Sequence, residues 1–191
     1  MSTAVAHRNK QSGAAMLMSL ALMLVLGTLS FSMLQAVGLE QRLADQERDR
    51  QVAFHAAEAA LRQAQSLIEG NELGLFSPLR DANFPSICTK GLCRGSPAEP
   101  AWKTLSALDW ADGATPTREY PAPLDALDLK GLAASPRYLL EYQGSLAPLE
   151  PGAPCVALFL ITARATGLSP HAVATLQSEY RLRAGTCQQA I

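Results

Sequence analysis

Apolar and polar positions follow three regimes along this chain. From Ala14 to Leu39 no side chain is charged, and the run is broken only by Ser19, Thr28, Ser30, Ser32 and Gln35. At about 1.5 Å of rise per residue this run makes roughly 39 Å of helix. That length crosses a hydrocarbon layer of about 30 Å with some tilt. A cleaved secretory signal has a shorter apolar stretch of about 7–15 residues, closed by a small-residue site. Here more helix-forming sequence follows instead. His7, Arg8 and Lys10 precede the run, which puts the N-terminus on the cytoplasmic side and the rest of the chain outside.

The second regime, Gly38 to Gly70, has no proline and is dense in Ala, Leu, Glu, Gln and Arg. Its early part, "EQRLADQERDRQ", is almost wholly polar. Further on, Ala53, Ala56, Ala57, Ala60, Leu61, Ala64, Leu67 and Ile68 recur at helical spacing, and Gly70 is a C-terminal stop. The spacing predicts that apolar run and amphipathic helix form one continuous rod, roughly 84 Å long at the same rise. Gly27 and Gly38 are the places for it to bend. The alanines suit close approach of another element.

The third regime is punctuated, and all twelve prolines fall in it, after residue 77. Residues 71–135 are loop-rich, with a short helix expected from Trp102 to Trp110. Three strands follow: "RYLLEYQG" (137–144), "CVALFLITARATG" (155–167) and "HAVATLQSEYRLR" (171–183). The last alternates, with Ala172, Ala174, Leu176, Ser178, Tyr180 and Leu182 on one face, and predicts a half-buried antiparallel strand. "LSP" after Gly167 joins the last two strands as a hairpin. Pairing Gly167 with His171 sets Cys155 opposite Arg183, close to Cys187.

Composition adds limits. The formal net charge is −1, so no excess of either sign points to nucleic acid. Cys88, Cys93, Cys155 and Cys187 all lie in the third regime. Behind an export-type N-terminus, an even count points to two disulfides. Unpaired thiols or a zinc site are the alternatives, though "CTKGLC" lacks the tight ligand pairs of structural zinc. Of three connectivities, Cys88–Cys93 and Cys155–Cys187 best fit the hairpin.

Taken together, a basic leader, a Gly13–Ala14 junction, an apolar helix running into an amphipathic one, and a cysteine-bearing strand-rich end resemble the type IV pilins. The segment "LEQRLADQERDRQVAFHAAEAALRQAQ" (39–65) resembles the N-terminal signature of PilX-type minor pilins, as do the closing strands "RYLLEYQG … LFLITARATGLSPHAVATLQSEYRL". The resemblance covers roughly residues 8–68 and 136–183. It implies an α+β fold, with a long N-terminal helix packed on a small antiparallel β-sheet head. The divisions would be a leader at 1–13, a membrane and assembly helix at 14–39, its amphipathic half at 40–69 and a periplasmic head at 70–191. It also implies that prepilin peptidase cuts between Gly13 and Ala14 and that Ala14 becomes the N-methylated first residue. Local residues alone leave open that Gly13 is a flexible joint before a permanent anchor. Most pilins carry glutamate at the fifth mature position, where this chain has Met18; a subunit without that carboxylate fits a place at or near the pilus tip. The implied partners are other minor and major pilins through the N-terminal helix, prepilin peptidase, the inner membrane before assembly, and a tip adhesin as a further candidate. No nucleic acid and no cofactor is called for. The implied location is a single-pass inner-membrane protein, then the fibre at the cell surface.

Other chemistry finds little footing. There is no nucleophile elbow, phosphate loop or His-based metal motif. His7, His55 and His171 are scattered. Glu47 and Glu58 with Arg48, Arg50 and Arg62 form a solvated or subunit-facing helix surface rather than an acid/base pair. Asp125, Asp128 and Lys130 lack the length of a calcium loop. Trp102 and Trp110 are loop anchors before they are binding aromatics. Two alternatives remain: a minor pseudopilin of a type II secretion system, and a membrane-anchored periplasmic enzyme or binding domain.

Overall fold

The computed structural model describes residues 13–72, 74, 79–120, 131–146, 154–184 and 187–188. Residues 1–12 of the expected leader and the Asp125–Lys130 stretch lie outside these residues. Helix α1 spans Ala14–Glu69 and runs unbroken through Gly27 and Gly38. The chain forms two compact units, one up to Asp45 and one from Gln46 onward.

In the second unit α1 buries the stripe that the helical period predicts. Ala53, Ala56, Ala57, Ala60 and Ala64 are fully buried, Leu67 and Ile68 nearly so. Side chains no longer than a methyl let the helix backbone lie close against the sheet. The sheet has β2 (Leu92–Arg94), β4 (Arg137–Leu146), β5 (Cys155–Thr166) and β6 (Val173–Ala184) in that spatial order, with β3 (Arg118–Glu119) also on β4. β4, β5 and β6 are antiparallel neighbours, but β2 runs parallel to β4, so the sheet is mixed rather than wholly antiparallel. Separately, β1 (Leu79–Arg80) pairs in parallel with β7 (Cys187–Gln188).

The core lies between α1 and one face of this sheet. Alternate β5 residues Ala157, Phe159, Ile161, Ala163 and Ala165 point into it and are buried. Phe84, Tyr142 and Phe159 make an aromatic cluster with centroid separations of 4.8, 5.7 and 5.5 Å, the first pair stacked and the other two tilted. Tyr180 on β6 donates its hydroxyl to Glu69 at the end of α1, 2.8 Å away. Burial, with the neighbouring carboxylate, pushes its pKa up to about 12.

The β5–β6 hairpin corrects the expected register. Cys155 lies opposite Ala184, not Arg183, and Thr166 opposite Val173. The observed register sets Ala157 against Leu182 and Phe159 against Tyr180. A one-residue slip would oppose core-facing residues with outward-facing ones. The loop is longer than "LSP": Gly167 N–H donates to the carbonyl of Ala172, and His171 stays exposed in the turn. Its shape is set from afar, because the Asp49 carboxylate on α1 accepts from the Leu168 and Ser169 N–H groups and the Ser169 hydroxyl. Those bonds, the Ser169 hydroxyl first, lower the pKa of Asp49. A Cβ on Gly167 would collide with the Asp49 carboxylate and come within 2.5 Å of its main-chain oxygen. Gly167→Ala is therefore expected to lower the unfolding temperature by about 2–10 °C, measured by thermal denaturation of the full chain in detergent.

Candidate functional site

The first unit offers a surface rather than a pocket. Between Met16 and Met33 every large apolar side chain is more than half exposed, Met18 at 74 %. This stretch of α1 is long and apolar enough to cross a membrane. Three of its four hydroxyls bond within the helix: Ser19 donates to Met16 O, Thr28 to Val25 O and Ser30 to Leu26 O, each at 2.9 Å. No water or partner is needed for those groups, which suits hydrocarbon and the interior of a helix bundle alike. An added Cβ at Gly27 would meet no atom within 4 Å, so that position is bare backbone open to a neighbouring helix. Gly13 stands just before α1, its carbonyl accepting from Leu17 N–H, and Ala14 is the first helical residue.

Among the polar helix residues, Arg62 pairs with Glu58 at 2.6 Å and His55 lies 3.7 Å from the same carboxylate. Gln51 reaches Glu47 at 3.3 Å. These are exposed contacts along one helix, worth a few tenths of a kcal/mol each, and they converge on no reacting atom. Among the described residues no group of three His, Cys, Asp or Glu side chains could share a metal ion.

In the second unit the cysteines hold loops in place. Cys88 and Cys93 are joined, with Cα atoms 4.5 Å apart. They flank a turn in which Thr89 and Leu92 exchange both main-chain hydrogen bonds at 3.0 Å. Lys90 and Gly91 at its tip donate to the carbonyls of Thr115 and Pro116, so the disulfide turn pins the following loop. Cys155 is disulfide-bonded too; the side chain of Cys187, its expected partner, lies outside the described residues.

Three polar residues that no local pattern singled out hold loops in place, one from α1 and two from β4. One is Asp49, described above. Another is Arg137, only 3 % exposed. It donates to Thr117 Oγ1 (2.8 Å), Ala114 O (2.6 Å) and Thr117 O (2.9 Å), and reaches Glu119 at 3.4 Å. The third is Glu141, fully buried, which accepts from the N–H groups of Ala101 (2.6 Å) and Trp102 (3.1 Å). Burial raises its pKa and the two N–H bonds only partly oppose this. A charged residue inside the apolar run "YLLEYQ" was the available signal. Trp102 lies under Lys103 at 5.9 Å and Trp110 under Arg164 at 6.0 Å, so both tryptophans are engaged with the chain itself.

A long N-terminal helix, apolar and exposed in front and packed on a disulfide-bearing sheet behind, is an α+β fold of the type IV pilin-like class. The family model described as type IV pilus assembly protein PilX C-term matches residues 80–182, more than half of the 191-residue chain. The chain belongs to this PilX family of type IV pilus assembly proteins. The match takes in the loop-rich middle, Cys88 and Cys93 included, which the sequence resemblance had left aside. No curated protein and no solved structure matches the chain.

Proposed function

We propose that this chain is a minor pilin, a structural subunit that primes or supports assembly of a type IV pilus and enters the fibre near its tip. The observation that carries this reading is the exposed, charge-free half of α1 on a chain of the PilX family. Such a surface is stable only against lipid or other apolar helices. Held by the inner membrane first, the helix later packs against those of other minor and major pilins, while the head stays on the outer side. In this reading prepilin peptidase removes residues 1–13 and Ala14 becomes the methylated N-terminus. Gly13 suits an extended pass through a protease cleft, since it has no Cβ. Met18 in place of the usual carboxylate removes one partner for a neighbour's terminal amine, which favours an early, tip-proximal position. A tip adhesin is a candidate neighbour of the head. The family match favours the pilus over a secretion apparatus as the setting.

Mass spectrometry of this chain in sheared filaments tests the proposal. The expected result is a methylated Ala14 as first residue, in amounts far below the major subunit. An intact Met1, or abundance equal to the major subunit, would contradict it.

A further inference from the structure

The face of the sheet turned away from α1 is crossed by residues 96–105, and their attachment is unusually narrow. At one end Gly95 N–H donates to Tyr142 O at 2.9 Å. At the other, Thr117 Oγ1 donates to Asp109 O and Arg137 holds Thr117. Between these anchors the hydrogen bonds to the sheet among the described residues are the two that Glu141 accepts from Ala101 and Trp102. The remaining ones stay within the segment: Ala98 N–H to Ser96, Lys103 N–H to Pro100, Leu105 N–H to Trp102 and the Thr104 hydroxyl to Ala101 O. Pro97 and Pro100 have no N–H to give.

What the segment covers is poorly satisfied. Gln143 sits at a bulge, since Tyr142 pairs with Phe159 and Gly144 with Leu158, leaving Gln143 outside the ladder. Both polar atoms of its carboxamide are buried with no hydrogen-bond partner among the described residues. Gly95 lies so close that a Cβ there would be 2.6 Å from Glu141 Oε2 and 2.9 Å from Gln143 Nε2. Beside them a cavity of about 190 Å³ remains between Pro97 and Pro100 on one side and Leu158, Leu160 and Arg181 on the other. The closed arrangement thus strips water from a carboxylate and from an unpaired amide while leaving the apolar surface beneath incompletely filled. Each of these features lowers the cost of lifting the segment.

We propose that residues 96–105 form a strap that opens and closes over the outer face of the sheet, with Glu141 as its catch. Opening uncovers Leu158, Leu160 and the Gln143 amide and leaves the helix–sheet core intact. This device does not depend on the assembly role proposed above.

Hydrogen–deuterium exchange of the full chain in detergent tests it. In the wild type, peptides covering 96–105 should exchange at least tenfold faster than the β4–β5 ladder at 138–142 and 158–163. Glu141→Gln, which puts an amide donor where an acceptor is needed, should speed the strap about tenfold again with the ladder unchanged. Ala101→Pro removes the shorter of the two bonds from the strap side, leaves the sheet sequence untouched and should do the same. Equal rates for strap and ladder in the wild type, or acceleration of both together in Ala101→Pro, would overturn the proposal.

Discussion

Arg137→Ala is expected to cost the head about 3–5 kcal/mol, enough to leave much of it unfolded. The guanidinium is buried at the start of β4, where its donors satisfy two main-chain carbonyls and the Thr117 hydroxyl. Removing it leaves those acceptors without partners in a site that a methyl group cannot fill, and a buried acceptor left unpaired costs about 1–3 kcal/mol. The exposed Glu119 side chain adds little, because that contact is long and solvated. The loss therefore comes from the loop 114–117, which in turn carries the Cys88–Cys93 turn through Lys90 and Gly91. Urea denaturation of the full chain in detergent, followed by tryptophan fluorescence, measures it. Arg137→Lys keeps the charge but not the planar fork, and should recover only part of the loss. A change below about 1 kcal/mol for the alanine variant would contradict this account of the loop, since even one unpaired buried acceptor costs that much.

The sequence made some of this architecture legible and concealed the rest for physical reasons. The alanine seam of α1 follows the helical period and β6 alternates as a strand must, so neighbours in sequence report which face is buried. The register of β5 on β6 is different, since Asp49 sets the hairpin loop from more than a hundred residues away. A count from "LSP" alone missed it by one. The expected helix from Trp102 to Trp110 proved to be two 3-10 turns, Ala101–Thr104 and Ala107–Trp110. Asp109 accepts from both the N–H and the hydroxyl of Ser106 and so restarts the chain there, while Glu141 holds the first turn. The parallel pairing of β2 on β4 and the Arg137 network likewise join segments with no local signature. The exposed apolar half of α1, by contrast, was plain, because a run of uncharged residues needs no partner to be seen.

That half carries the functional proposal, and exchanging it should have the largest effect of all. A generic membrane span of equal length, such as a leucine-rich one, offers hydrocarbon the same apolar surface. It does not reproduce the pattern of Ala15, Ser19, Gly27, Ser30 and Ser32, small positions where helix backbones can approach closely. Membrane helices gain nothing from hydrophobicity when they leave lipid for one another, so association depends on this fit. The swapped chain should insert, fold its head and close Cys88–Cys93, yet fail as a subunit. The decisive measurement is the number of filaments on cells whose sole copy of this chain has Ala14–Leu39 replaced by such a span, with insertion and head oxidation checked in the same cells. The account predicts filaments at the level of cells lacking the chain altogether; wild-type filament numbers with the foreign span would contradict it.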